Sequence, residues 1–323
     1  MTSTARRPAS TRASESPPII RVSGLVKRYG SFTAVDNVDL EVREDEIFGI
    51  LGPNGAGKTT TLEMIEGLRE PDAGTIEVAG IDAIQQPNLV KRIIGVQLQT
   101  TSLFDYLTVR ELIALFAALY DGDTSQERID ELIALVSLDE KQDARANQLS
   151  GGQQQRLSIA LALVNDPRIV FLDEPTTGLD PQARRNLWDV ISNLRATGKT
   201  IVLTTHYMEE AQTLCDRVAI MDSGRIIACD TPLKLIQSLD QDATIRARVD
   251  RDLDLSAIRE LPGVLSAEVI EEQLAVRSRD VQATLTGLLA IASEFDIRLD
   301  NLATESANLE DVFLSLTGRS LRE

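Results

Sequence analysis

Residues 52–59 have the types and spacing of a loop that binds phosphate groups. They read Gly-Pro-Asn-Gly-Ala-Gly-Lys-Thr, which matches the pattern G-x-x-x-x-G-K-[ST]. In such a loop the glycines let backbone N–H groups point at phosphates, the lysine reaches the β- and γ-phosphates, and the final hydroxyl binds Mg²⁺. We therefore expect nucleotide phosphates to contact the segment made of Gly52, Pro53, Asn54, Gly55, Ala56, Gly57, Lys58, Thr59 and Thr60.

Two acidic residues, Asp173 and Glu174, follow the apolar run Ile169 to Leu172. Such a run is typical of a strand buried in a parallel sheet, and open α/β sheets bind ligands at the carboxyl ends of their strands. Asp173 could complete the shell of a magnesium ion, and Glu174 could polarise a water molecule for in-line attack on the γ-phosphate. An acidic pair alone more often belongs to a loop or a helix cap, but the phosphate loop in the same chain favours the catalytic interpretation.

A second possible anion site lies at Leu149-Ser-Gly-Gly-Gln153, where an apolar helical run begins. Ser150 has the position of a helix N-cap. Gly151 and Gly152 leave bare N–H groups at the helix N-terminus, and these could bind a γ-phosphate. The segment therefore predicts either an ordinary capped helix or a second phosphate-binding surface.

Together, the three motifs resemble those of the ABC (ATP-binding cassette) ATPases. The phosphate loop, Leu149 to Gln153 as the family signature and Arg168 to Glu174 as the Walker B strand occur in the order that the family has. The resemblance covers about Ile19 to Thr231 and implies that ATP and Mg²⁺ are the cofactors. It also implies cofactor-binding roles for Ser150, Gly151, Gly152 and Gln153, and metal-binding roles for Thr59, Gln99 and Asp173.

Two residues outside these motifs take cofactor-binding roles by the same resemblance. Tyr29 matches the aromatic residue that stacks on adenine, although a tyrosine before a glycine is also typical of a turn. Gln99 matches the Q-loop glutamine that senses Mg²⁺ and touches the membrane partner. Gln97, two residues earlier, is the alternative, and the spacing to Leu107-Thr-Val109 favours Gln99.

Two further positions complete the family pattern. Asp180, in Gly178-Leu-Asp180, matches the D-loop aspartate that couples two nucleotide sites across a dimer. His206 is the only histidine in the chain and matches the switch histidine, which contacts the γ-phosphate and helps to hold the attacking water. The resemblance thus implies that Glu174 and His206 are the catalytic residues.

The elements that hold these residues alternate between strands and helices, so the predicted fold class is α/β. The resemblance specifies a P-loop NTPase cassette at residues 19–232, with a RecA-like core and a helical signature subdomain at about 109–165. Residues 1–18 are rich in Ser, Thr, Arg and Pro and are predicted to be a disordered tail. Strands are predicted at Ile19 to Leu25, Ala34 to Val42, Glu46 to Leu51, Ile169 to Leu172 and Thr200 to Thr204, and a helix at Thr60 to Gly67.

A second domain is predicted after Pro232, at residues 240–323. Its pattern has the order β-α-β-β-α-β, which is that of a small α+β ferredoxin-like module. It resembles the accessory module of drug- and antibiotic-resistance exporter ATPases of the daunorubicin-resistance-like, ABC-2 type, above all in the ending Ala307 to Gly318. The elements are Thr244 to Val249, Leu255 to Leu261, Val264 to Ile270, Gln273 to Val276, Val281 to Glu294 and Ile297 to Leu302.

The composition limits the partners of the chain. It has 33 Lys and Arg against 50 Asp and Glu, and a formal net charge of -17, which repels nucleic acids and the anionic inner surface of a membrane. We therefore expect no nucleic acid partner. The apolar runs are shorter than the roughly 18 residues that a spanning helix needs. Cys215 and Cys229 have no CxxC spacing and predict neither a disulfide framework nor a zinc site.

The sequence thus predicts the ATP-hydrolysing subunit of an ABC transporter, resembling exporters of a drug, an antibiotic or a lipid-like compound. The resemblance implies a separate multi-span permease, a nucleotide-dependent homodimer or dimer with a related cassette, and a peripheral place on the cytoplasmic face of the cell membrane. The alternative is a soluble ABC-family ATPase in DNA repair or on ribosomes, for which coiled coils, zinc cysteines or a second cassette would be expected. An inactive ATP-binding module is disfavoured because Lys58, Asp173, Glu174 and His206 are all present.

Overall fold

The computed structural model describes residues 18–98, 103–239, 243–250, 255–305 and 307–318. They fall into two units, of which one ends at Ile227 and the other begins at Ala228; the sequence places the end of the cassette at residue 232. Residues 1–17 of the predicted tail and Gln99 lie outside the described residues. Pro18, predicted as part of the tail, opens the first strand.

A six-stranded sheet runs through the first unit, with a second, four-stranded sheet beside it. The larger sheet has the strand order β10-β9-β3-β8-β7-β6, and β3, β6, β7, β8 and β9 pair in parallel, so their carboxyl ends meet at one edge. In chain order the strands are β1 (Pro18–Tyr29), β2 (Phe32–Arg43), β3 (Ile47–Leu51), β4 (Ala73–Val78), β5 (Ile81–Asp82), β6 (Ile94–Gln97), β7 (Ile169–Asp173), β8 (Thr200–Thr205), β9 (Arg217–Asp222) and β10 (Arg225–Asp230).

The smaller sheet has the order β2-β1-β4-β5 and is antiparallel. Its strands alternate between buried and exposed residues, as expected for a sheet with one face on the core. Ile20 and Leu40 of this sheet share one apolar core with Phe48 of β3 and with Leu62. Every residue of β3, β7 and β8 is buried, which explains their continuous apolar runs.

Helices connect the parallel strands and form the segment before β7. Three helices, α3, α4 and α5, lie in the region predicted as a helical subdomain, and α3 and α5 each begin with a capping box. α1 begins two residues before the predicted helix, directly after the left-handed Gly57. The helices of this unit are α1 (Lys58–Ile65), α2 (Pro87–Ile93), α3 (Val109–Leu119), α4 (Gln126–Leu135), α5 (Gly151–Ala162), α6 (Pro181–Ala196) and α7 (Met208–Leu214).

The second unit has the predicted order β-α-β-β-α-β, in a four-stranded antiparallel sheet of order β12-β13-β11-β14. Ile258, Val276 and Leu288 belong to its apolar core. The last strand starts later than predicted. Ile297 belongs to the end of the preceding helix instead, because its N–H donates to the carbonyl oxygen of Ala292 at 2.8 Å. The elements are α8 (Pro232–Gln237), β11 (Ala243–Val249), α9 (Leu255–Arg259), β12 (Val264–Ile270), β13 (Gln273–Ser278), α10 (Val281–Glu294), β14 (Leu299–Glu305) and α11 (Leu309–Thr317).

Candidate active site

The predicted phosphate loop joins β3 to α1 at the carboxyl edge of the parallel sheet. Gly55 and Gly57 have φ angles of 79° and 105°, in the left-handed region that favours glycine. A Cβ atom on Gly57 would also lie 2.5 Å from the Ala34 carbonyl oxygen. The loop therefore has its shape because these two positions lack side chains, and its N–H groups precede the N-terminus of α1.

Lys58 is buried, and its ammonium group lies among oxygen atoms. Its Nζ donates to the carbonyl oxygens of Gly52 and Pro53, at 2.9 and 3.1 Å, and lies 3.1 Å from Oε1 of Glu174. A buried charge requires partners of this kind. The sheet thus brings the loop lysine directly to the acidic residue that follows β7.

Asp173, the last residue of β7, faces the hydroxyl of Thr59. Thr59 Oγ1 donates to Asp173 Oδ1 at 3.2 Å, and the Thr204 hydroxyl donates to the same oxygen. Burial raises the pKa of Asp173, while the two hydroxyl hydrogen bonds act in the opposite direction. A hydroxyl beside a carboxylate at the phosphate loop is a donor set that suits Mg²⁺. Within the described ranges, no cluster of three or more His, Cys, Asp or Glu side chains could hold a metal ion.

Glu174 has an unusual backbone conformation, with φ of 46°. Its N–H donates to Thr204 Oγ1 at 3.0 Å, and Thr177 Oγ1 donates to its Oε2 at 3.1 Å. Nδ1 of His206 lies 3.3 Å from the same Oε2, outside hydrogen-bond geometry. Strained non-glycine residues are often found at functional sites, and the Glu174 carboxylate lies between Lys58 and His206.

Opposing effects determine the charge of Glu174. Burial raises the pKa of its carboxyl, but the charge and hydrogen bond of Lys58, with smaller effects of His206 and Thr177, outweigh it and lower the pKa. Glu174 is therefore ionised at neutral pH, as a group that polarises water must be.

Two residues of this site, Thr204 and Thr177, were not predicted from the sequence. Thr204 is fully buried in β8 and connects Asp173 to the backbone of Glu174. Its position at the carboxyl end of a buried strand, where open α/β sheets bind ligands, is the signal that could have identified it. Thr177 carries no such signal, because a threonine in a loop is ordinary.

The signature segment and Asp180 both cap helices. Ser150 Oγ accepts from the Gln153 N–H at 3.4 Å, and Gln153 Oε1 accepts from the Ser150 N–H at 2.9 Å. Asp180 caps α6 by accepting from the Ala183 N–H at 2.8 Å. The described contacts of Ser150 and Asp180 do not include the cluster around Glu174, so their predicted roles at a nucleotide remain predictions.

The described contacts of Tyr29 and Gln97 do not include the cluster around Glu174. Tyr29 ends β1, is partly exposed, and has Arg69 and Lys27 within 5.5 and 5.9 Å of its ring centroid. Gln97 ends β6, opposite Leu172 of β7, and its buried Oε1 has no hydrogen bond in the described structure. Because Gln99 lies outside the described residues, the choice between the two glutamines stays open.

The family model of ABC transporters matches residues 35–177. The chain is 41% identical over 312 residues to Nod factor export ATP-binding protein I of Ralstonia nicotianae, covering 95% of this chain and 96% of that protein. This chain is an ATPase subunit of the ABC transporter family. It is also 35% identical over 311 residues to the linearmycin resistance ATP-binding protein LnrL of Bacillus subtilis, covering 94% and 100% of the two chains.

Solved structures of ABC cassettes have the same fold. A dimeric post-hydrolysis state of the ATP-binding cassette MJ0796, bound to ADP and phosphate, is 30% identical, with a TM-score of 0.59 over 66% of this chain and 98% of that one. The ADP form of the cassette MJ1267 gives a TM-score of 0.63 at 26% identity over 70% of this chain. The ABC ATPase therefore has a P-loop NTPase cassette and hydrolyses ATP. Among the residues that the structure describes, no helix is long and apolar enough to cross a membrane.

Proposed function

We propose that the chain hydrolyses ATP at a site shared by two copies and thereby drives an exporter. The observation that carries the proposal is the cluster of Lys58, Thr59, Asp173, Glu174 and His206 at one edge of the parallel sheet. Lys58 binds the β- and γ-phosphates. Glu174 acts as the general base that accepts a proton from the attacking water, and His206 holds that water and the γ-phosphate. Mg²⁺, held by Thr59 and Asp173, would supply positive charge for the phosphates.

The direction of transport is proposed from the relatives. One of them is named for Nod factor export and another for linearmycin resistance, and both match this chain over more than nine tenths of its length. The match therefore includes the second unit as well as the cassette. A drug, an antibiotic or a lipid-like compound is the proposed cargo, carried by a separate multi-span membrane subunit that holds this ATPase on the cytoplasmic face of the membrane.

The dimer is proposed from the exposed N-terminus of α5. Ser150 and Gly151 are exposed there, next to backbone N–H groups that favour an anion. In a dimer, this end of α5 would contact the γ-phosphate bound to the phosphate loop of the other copy. The dimeric form of the related cassette MJ0796 supports this arrangement. Loss of the shared phosphate on hydrolysis would then open the dimer, and the Q-loop would pass that movement to the permease.

The experiment combines Glu174→Gln with a change at the signature. Gly152 is unsuitable because a Cβ there would lie 2.9 Å from the Ala183 Cβ, whereas a Cβ on Gly151 meets no atom closer than 3.9 Å. Gly151→Asp adds a charge that repels the partner's phosphate but favours its own helix N-terminus. Gly151→Ala is the matched control, with the same backbone change and no charge.

Light scattering after size-exclusion chromatography would measure the oligomeric state with and without Mg·ATP. We expect Glu174→Gln to stop turnover and to form a dimer only with ATP. Gly151→Asp should abolish this dimer while the monomer still binds ATP, and Gly151→Ala should keep it. A Glu174→Gln protein that turns ATP over normally, or stays monomeric with ATP bound, would show that the proposed mechanism is wrong.

A further inference from the structure

Four buried polar atoms that make no hydrogen bond of good geometry lie on residues that follow the strands of the active site. Among the described residues they are Thr176 Oγ1, Arg184 Nε, His206 Nδ1 and Glu210 Oε2. Buried polar groups in proteins are nearly always paired, so such a group of exceptions calls for a functional explanation. All four follow β7 or β8, the two strands that carry Glu174 and His206 to the site.

Glu210 is the centre of this group. It is the third residue of α7 and is 0% exposed. Its Oε1 accepts a hydrogen bond from Nε1 of Trp188, a residue of α6, at 3.1 Å. Burial raises the pKa of Glu210, and the hydroxyls of Thr205 and Thr176, the Trp188 N–H and the Arg184 charge act against it. Glu210 thus links α7 to α6 inside the protein.

Two ring contacts connect this region to His206. The Arg184 guanidinium lies 4.2 Å from the ring centroid of Tyr207, and the Tyr207 and His206 ring centroids are 4.1 Å apart. The Tyr207 N–H also donates to Thr205 Oγ1, at 2.9 Å. Only His206 and Tyr207 separate β8 from α7, so the orientation of α7 determines where the imidazole lies.

We infer that Glu210 is a positioning residue for ATP hydrolysis, because it fixes α7 against α6 and so holds His206 beside Glu174. The inference rests on the proposed role of His206. Glu210 does not contact phosphate or water. Its effect reaches the reaction through the 3.3 Å approach of His206 Nδ1 to Glu174 Oε2, and a displacement of about 1 Å at a reacting group costs about 100-fold in rate.

Steady-state ATPase kinetics of Glu210 variants test the inference. We expect Glu210→Ala to lower kcat about 10- to 100-fold and to change the KM for ATP less than about 3-fold. Trp188→Phe, which removes the donor, should act in the same direction. Glu210→Gln retains an oxygen for the Trp188 N–H and should restore kcat to within about 3-fold of the parent. Circular dichroism melting of each protein establishes that it is folded.

A double-mutant cycle with His206→Ala separates positioning from general stabilisation. In the His206→Ala background, Glu210→Ala should change kcat less than about 2-fold, since no imidazole is left to position. An equal loss in both backgrounds would refute the inference while leaving the role of His206 intact. A His206→Ala protein with normal kcat would instead refute that role, and with it the inference.

The chain offers a matched control in Glu46. This glutamate is also buried, and it pairs with Arg217 at 3.1 Å. It precedes β3, at the end of the sheet opposite the phosphate loop. Glu46→Ala therefore removes a buried carboxylate without touching α6 or α7, and kcat in the folded variant should stay within about 2-fold. A loss of kcat in Glu46→Ala as large as in Glu210→Ala would contradict a specific role for Glu210.

Discussion

The ion pair between Lys58 and Glu174 should oppose ATP binding, and Glu174→Gln should therefore tighten it. Lys58 Nζ lies 3.1 Å from Glu174 Oε1, and both side chains are buried. A γ-phosphate that takes Lys58 as its partner must weaken this contact, and the Glu174 carboxylate then faces the phosphate charge. A glutamine at this position removes both costs but keeps the shape of the side chain.

The magnitude follows from the geometry. Two unit charges at the 3.1 Å of this ion pair attract by about 5 kcal/mol at an effective dielectric constant of about 20. Only part of this appears in binding, because Lys58 keeps the carbonyl oxygens of Gly52 and Pro53 and gains phosphate in both proteins. We expect a gain of about 1.5–3 kcal/mol, which corresponds to about 10- to 100-fold tighter ATP binding.

Calorimetric titration with Mg²⁺ and a non-hydrolysable ATP analogue would measure the affinity. The parent and the Glu174→Gln protein should both carry Gly151→Asp, so that dimerisation does not add to the apparent affinity for ATP. Glu46→Gln in the same background is the control and should leave Kd within about 2-fold. An equal or weaker Kd for the Glu174→Gln protein would refute the reasoning, because ATP binding would then not compete with the ion pair.

Two further predictions concern stability and the second unit. Burial, with the charges of Asp173 and Glu63, raises the pKa of Glu66 from 4.5 to about 8. Because the pKa is higher in the folded protein than in the unfolded chain, the protonated Glu66 contributes to the free energy of unfolding. This contribution is fully present below about pH 4.5 and is lost as the pH rises through 8. Glu66→Gln should remove this loss, on the order of 3–5 kcal/mol, and melt higher than the parent at pH 9 but not at pH 5; equal melting differences at both pH values would contradict it. A chain truncated after Leu239 should still bind Mg·ATP in a fluorescence titration, since the phosphate loop lies in the first unit, and a folded truncated protein without ATP binding would show the prediction to be wrong.

Local chemistry explains why much of the fold could be predicted. The run Ile169 to Leu172 lies in β7, and the predicted bounds of β12 and α10 agree with the structure, because period and composition determine such elements. Element ends were less predictable. β1 continues to Tyr29, beyond the predicted Leu25, because pairing with β2 extends it.

By itself, the sequence determined the phosphate loop and the capped start of α5, since each is built from consecutive residues whose backbone preferences and side chains act locally. Only the tertiary structure decided which distant residues come together in the site. Thr59 and Asp173 are 114 residues apart and meet only because β3 and β7 end at one edge of the parallel sheet, on either side of β8. The same holds for Thr204 beside Glu174 and for Trp188 on Glu210. These partners are chosen by strand order and helix contact, which single residue types do not encode.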